Sequence, residues 1–166
     1  MKKMNNKGFS LVELIVVVAI MAVLMAVLVP TLIRNVEKTR VQKDKSAIAE
    51  IHHATELAIA DEEFMNAQPK ATGASVSGGM ITVADLFTDS TESKELAEEV
   101  AATVGKKVKL TSKMKNDCTI IVKELDYTTG KVVFEVVSAE AKKGTGESFY
   151  IDSTGENEGT YPTKKK

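Results

Sequence analysis

The sequence predicts an α+β fold in which a long N-terminal α-helix, apolar in its first half and amphipathic in its second, packs on a small antiparallel β-sheet head. Three observations predict it. Between Phe9 and Ile33, 21 of 25 residues are apolar, interrupted only by Ser10, Glu13, Pro30 and Thr31. From Arg34 to Asn66 there is no glycine or proline, and small or apolar residues return at spacings of three, four and seven. Beyond Lys107, short runs rich in β-branched residues alternate in polarity and are separated by turn residues.

The apolar segment accounts for much of the 43% apolar content of the 166-residue chain, leaving about 35% in the rest, enough for one small core. As an α-helix, Phe9–Ile33 reaches about 38 Å at ~1.5 Å per residue, longer than a bilayer core of about 30 Å. Met1-Lys2-Lys3-Met4-Asn5-Asn6-Lys7-Gly8 before it is short and basic, the flank expected on the cytoplasmic side of a signal or an anchor. A cleaved secretory signal fits poorly. Its apolar stretch is shorter and ends in small residues, whereas this one ends in Val29-Pro30-Thr31-Leu32-Ile33-Arg34 and continues into more helix. Glu13 is a carboxylate inside the span and calls for compensation. A cut after Gly8 supplies it, because Phe9 then carries an α-amino group one turn before Glu13. Pro30 has no N–H to offer the Ala26 carbonyl, so Ala22 to Pro30 is the expected place for a kink or local unwinding. Arg34, Lys38, Arg40, Lys43 and Lys45 follow the span, outnumbering Lys2, Lys3 and Lys7 before it, and a bare count of cations puts the C-terminal side in the cytoplasm.

Lys7-Gly8-Phe9-Ser10-Leu11-Val12-Glu13 strongly resembles the type III signal of type IV prepilins and pseudopilins. In that family a basic leader ends in glycine, phenylalanine follows, and a glutamate stands four positions later in an apolar helix. The match covers about residues 1 to 35 and includes Pro30. The resemblance implies cleavage after Gly8 by a membrane prepilin peptidase, N-methylation of Phe9, and pairing of Glu13 with the methylated amine of an adjacent subunit. It reverses the orientation given by the cation count: the precursor is a single-pass membrane protein with a cytoplasmic N-terminus, and the assembled product is a cell-surface pilus. The implied division is a leader at 1–8, a transmembrane and filament-core helix at 9–33, an amphipathic helix at 34–68 and an α+β head with a mobile tail at 69–166. Implied partners are the chain itself as a homopolymer, minor pilins, membrane lipid before assembly, a membrane platform protein and an assembly ATPase. Loss of the three leader lysines takes the formal side-chain charge from −1 to −4, so an acidic surface is expected. The alternative is a pseudopilin of a type II secretion or competence DNA-uptake system. Many Gram-negative pilins close a C-terminal loop with a disulfide, which Cys118 alone cannot, and this points to a Gram-positive or other disulfide-poor lineage.

In the second half of the helix, Ala47, Ile51, Ala54, Ala58 and Met65, flanked by Val41, Ile48 and Thr55, mark the face to be buried. The two halves read as one helix of about 55 residues at 1.5 Å rise, ended by Gln68-Pro69 and a loop over Gly73-Ala74-Ser75-Val76-Ser77-Gly78-Gly79. Met80 to Phe87 is short and apolar. Thr88-Asp89-Ser90 offers caps for a helix over Glu92 to Ala102, stopped at Gly105. Strands are expected at Lys107–Thr111, Thr119–Leu125 and Lys131–Ser138, with Asp126 to Gly130 as a hairpin turn, and a fourth at Ser148–Ile151 before a turn at Asp152. Gly155 to Lys166 reads as a mobile polar tail.

No constellation points to catalysis, a metal or a cofactor. Near-neutral charge and a pI near 6.2 argue against a dedicated nucleic-acid binder, and Lys164-Lys165-Lys166 reads as solubilising. Nucleic acid is thus possible but not indicated. One cysteine excludes an internal disulfide and a cysteine-based zinc site, so Cys118 reads as a buried small residue. His52 with Glu56 has a metal-binding spacing, but two ligands are too few, and His52 and His53 read as a helix face. The acidic run from Asp152 to Glu158 lacks the spacing of a calcium loop and reads as a turn. Without a phosphate loop or nucleophile motif, the chain is read as a structural protein and not an enzyme.

Overall fold

A computed structural model describes residues 10–76, 78–88, 90–112, 118–138 and 148–159. The leader, Phe9, Asp89 and the last residues from Thr160 lie outside the described residues, and so do the expectations placed on them. The chain forms two compact units, one at Met1–Thr39 and the other at Arg40–Lys166.

The first α-helix, α1, runs from Leu11 to Ile59 with Pro30 inside it. Of the kink or local unwinding expected between Ala22 and Pro30, the unwinding is absent: every residue of this span is helical. Proline removes one donor, and the Thr31 hydroxyl donates to the Val27 carbonyl at 3.3 Å within the same turn. The expected helix through Asn66 instead breaks at Ala60 and Asp61. Asp61 has extended backbone and its side chain accepts from the Glu63 N–H, capping a separate helix, α2, at Glu62–Ala67. This break rotates the pattern. Phe64 is buried in place of Met65, which is exposed.

In the second unit, one side of α1 presents Asp44, Ile48, Ile51, His52, Thr55 and Ile59, with Ala54 and Ala58 at its margin, all buried. They pack with Phe134, Val132, Val136, Ile120, Phe149 and Ile151 in a single core. These sheet residues come from an antiparallel sheet of order β1-β4-β5-β6-β7, in which β1 is Gly73–Val76, β4 Cys118–Asp126, β5 Lys131–Ser138, β6 Ser148–Asp152 and β7 Gly155–Glu158. The three strands expected here, at Thr119, Lys131 and Ser148, are present. The turn Asp126 to Gly130 closes β4 onto β5, with Gly130 at φ +67°.

Two expectations are corrected. Gly73 to Val76 is an edge strand rather than a loop, paired with β4 from Gly73↔Ile121 to Val76↔Cys118. Its Ala74 and Val76 alternate into the core, a period hidden by short, small residues. Gly155 to Glu158 is the opposite edge, pairing with β6 from Phe149↔Glu158 to Asp152↔Gly155, rather than part of a mobile tail.

The rest of the head is a smaller layer. Strands β2 (Met80–Thr82) and β3 (Lys107–Lys109) form a second antiparallel pair, joined by a 3-10 turn at Val83–Leu86 and helix α3 at Thr91–Val104. As expected, Ser90 caps α3 by accepting from the Ser93 N–H and Gly105 ends it. Leu96, Ala97 and Val100 bury its apolar side in the common core. Cys118 is buried as expected.

Candidate assembly surface

The decisive chemistry of the first unit is exposure. Seventeen large apolar residues between Leu11 and Ile33 are 44–72% exposed, on every side of the helix. Covering them is worth on the order of 20 kcal/mol relative to water, more than the ~5–15 kcal/mol that holds a typical domain together. Water is therefore not their environment. Among the described residues, α1 has the length and composition to cross a membrane, and none of its apolar window is buried.

Glu13 stands at the start of this surface. Ser10 opens the helix, its carbonyl accepting from the Leu14 N–H at 3.3 Å, and its own N–H donates to Glu13 Oε2 at 2.9 Å. The carboxylate thus satisfies one N-terminal backbone donor at the positive end of the helix dipole. One of its oxygens makes that bond; the side chain otherwise faces outward from an exposed turn. Gly8 and Phe9 precede the described residues, so the geometry around Glu13 is that of Ser10 and the turn after it.

The second unit is fastened to its part of α1 by polar contacts that sequence reasoning missed. Buried Asp44 accepts from the Thr111 N–H at 2.8 Å and hydroxyl at 3.1 Å through Oδ1, and from the Ser112 N–H at 2.8 Å through Oδ2. Its spacing from Ile48, Ile51 and Thr55 was the available signal: a charge on a core stripe implies buried partners. Lys45 pairs with Glu156 and lies 4.8 Å from the centre of the Phe149 ring. Lys123, at an irregularity in β4, reaches buried Glu135 on β5 at 2.7 Å. Glu135 Oε1 has no hydrogen-bond partner among the described residues.

His52 and Glu56 approach at 3.7 Å, yet His52 is a packing residue. Its Nε2 donates to the Val132 carbonyl at 2.9 Å and its ring meets Phe134 edge-on at 5.3 Å, which leaves no convergent ligand set. His53 is exposed, with Nδ1 3.5 Å from Glu56. Among the described residues no group of three or more metal-ligating side chains converges. The Asp152 carboxylate is occupied by the Thr154 N–H and hydroxyl and by the Asn157 amide. Partial burial opposes ionisation of Asp152, but these bonds and the nearby His52 hold its pKa below the ordinary carboxylate value. The Asp126 carboxyl is lowered in the same sense by the Thr129 hydroxyl and then the Thr128 N–H. Both are turn-forming acids. Burial raises Tyr127 to about 12, and its hydroxyl donates to the Pro69 carbonyl.

A model of the prokaryotic N-terminal methylation motif matches residues 3–29, the stretch that contains Gly8, Phe9 and Glu13. The chain is also 33% identical over 107 residues to a fimbrial protein of Pseudomonas aeruginosa, covering 61% of this chain and 70% of that protein. The chain belongs to the type IV pilin family. No solved structure matches it. Its architecture is the pilin α+β one: a long N-terminal helix whose later part is packed on a small antiparallel sheet. As a pilin it is a structural subunit of the pilus type, and its apolar helix fits a membrane-anchored precursor.

Proposed function

We propose that this pilin is made as a single-pass membrane precursor with its N-terminus in the cytoplasm, is cleaved after Gly8 by prepilin peptidase and is N-methylated on Phe9. It is then polymerised into an extracellular type IV pilus. Residues 9–33 form the filament core, 34–68 the amphipathic segment packed on the head, helical to Ile59 and again from Glu62, and 69–166 the head. The observation that carries this reading is that α1 is apolar on all sides from Leu11 to Ile33 and bears one acid there, Glu13, in its first turn. Lipid covers such a surface as well as neighbouring helices do, so the hydrophobic term does not choose filament over membrane. Charge pairing of Glu13 with the Phe9 amine of an adjacent copy selects the register. Pro30 lets the helix bend as copies pack. Extraction from lipid needs outside energy, the role of a cytoplasmic ATPase acting through a membrane platform protein, and minor pilins complete the fibre.

Glu13→Ala tests the reading. Sheared pili are expected to disappear while processed subunit accumulates in the membrane; normal pilus yield contradicts the pairing. A subunit confined to the membrane in the unaltered cell points instead to the pseudopilin role in secretion or DNA uptake.

A further inference from the structure

Helix α3 has two flanks of opposite chemistry, one on each side of its buried stripe of Ser93, Leu96, Ala97 and Val100. The first carries Glu92, Glu95 and Glu99, spaced three and four residues apart and all exposed. Next to Glu99 and Thr103 lie Leu57, near the end of α1, and Asp61, just past it. Leu57 is 66% exposed, the most exposed large apolar side chain among the described residues of the second unit. This flank is acidic with one apolar knob. The second flank carries Lys94, Glu98 and Ala101 and forms a wall of an open groove of about 610 Å³, shared with the 3-10 turn and β3. Phe87, Ala97 and Ala101 make the inside of the groove apolar, and Lys106 and Lys107 stand just past the C-terminal end of α3. Asp85 and Glu98 line the groove too, which leaves the lysines in excess, and Lys109 is exposed farther along β3.

We propose that this groove receives the acidic flank of α3 from a second copy of the chain, Leu57 seating on its apolar inside and Glu99 and Asp61 meeting Lys106 and Lys107. The inference rests on the filament reading above and deepens it by naming a contact between heads, outside the apolar core. Three arguments select a second copy as the occupant. The flanks are complementary in charge within one sequence, so heads of equal net charge approach through unlike patches. The partners also stand at matching heights along α3: Glu95 is level with Lys94, and Glu99 lies toward the end that Lys106 and Lys107 follow. Sliding one head sideways makes these pairs without turning it over, so the α1 segments of the two heads stay parallel, as filament packing requires. Finally, the two flanks are different surfaces, and a contact between them leaves one of each unfilled on every pair. It propagates from copy to copy instead of closing a dimer.

The test is a chain carrying both Leu57→Cys and Lys107→Cys, with sheared pili treated with a short bis-maleimide. Cys118 is buried, and the chains with one substitution serve as controls. The double variant is expected to give a ladder of covalent multimers on a denaturing gel, and the single variants to stay monomeric, because like flanks do not meet. Pili without a ladder, dimers from either single variant, or cross-links only to a different subunit overturn the inference and leave the polymerisation reading intact. Absence of this chain from the pili of unaltered cells overturns the filament reading itself. Where the double-cysteine chain makes no pili, charge reversal at exposed positions decides. Glu99→Lys and Lys107→Glu are each expected to lower pilus yield roughly tenfold, as for a close interfacial charge pair, and together in one chain to restore it. Normal yield from the single reversals, or an unrestored double variant, overturns the contact.

Discussion

Asp44 offers the sharpest test of how the head is held to its helix. Replacing it with alanine removes the acceptor for the Thr111 N–H, the Thr111 hydroxyl and the Ser112 N–H, the first and last each 2.8 Å from a carboxylate oxygen. Ser112 is 1% exposed, so its N–H gains no water in exchange. An orphaned buried donor costs about 1–3 kcal/mol, and a bond to a charged acceptor contributes about 1.5–3; with the half-buried Thr111 able to rehydrate, the loss sums to about 3–5 kcal/mol. Each kcal/mol moves Tm by roughly 3–5 °C in a domain of this size, so a fall of about 10–20 °C is expected. Asp44→Asn keeps one acceptor but turns an amide NH2 toward a backbone N–H, and falls between alanine and the parent. Far-UV circular dichroism melts of a soluble fragment beginning at Asn35 make the measurement, with Lys43→Ala as the adjacent exposed control. A drop of less than about 3 °C for Asp44→Ala refutes the assignment of Asp44 as the main polar fastener.

Gly73 sits at φ +129°, and a Cβ added there would lie 2.3 Å from the Ile120 carbonyl oxygen and 2.8 Å from the Ile121 Cα. Gly73→Ala is expected to cost at least about 3 kcal/mol and to unpair β1 from β4, read as lost protection of those amides of Gly73–Val76 that exchange slowly in the parent; wild-type protection contradicts it. For Tyr127 the folded pKa of about 12 stands above the ordinary 10.0 of the unfolded chain, so its contribution is whole below pH 10 and is lost as pH rises from 10 through 12. Tyr127→Phe should flatten that alkaline limb in urea titrations across this range, and it also removes the bond to Pro69, worth about 1 kcal/mol at neutral pH. His52→Phe should leave a folded head, because His52 packs against Phe134 and its one strong polar contact is to the Val132 carbonyl. A loss of about 1–3 kcal/mol in urea unfolding matches one orphaned carbonyl, whereas complete unfolding contradicts the packing role.

Helix α3, its Ser90 cap and the Asp126–Gly130 hairpin were legible because each depends on local rules acting within a few residues. The apolar half of α1 was legible for the same reason. What escaped depends on distant partners. Gly73 to Val76 is a strand only because β4 supplies an edge, and its alanine and serine side chains carry little periodic signal. The tail segment Gly155 to Glu158 is strand because β6 lies beside it, although every residue suggests a turn or a solvated end. The break at Asp61 was hidden by good helix formers on both sides, with a cap that only the fold distinguishes from a surface acid. The burial of Asp44 and Glu135 follows from distant partners, Thr111 lying 67 residues from Asp44 and Lys123 lying across the β4–β5 pair from Glu135. At the candidate assembly surface, Glu13 within the apolar helix was legible in the sequence, and its bond to the Ser10 N–H was not.

The central claim, that this pilin is processed and polymerised through its N-terminal helix, is tested most directly by mass spectrometry of sheared surface pili. The expected result is an abundant chain beginning at N-methylated Phe9, lacking residues 1–8. An abundant chain in the pili that still carries Met1 to Gly8, or pili devoid of this chain while it fills the membrane, contradicts the account.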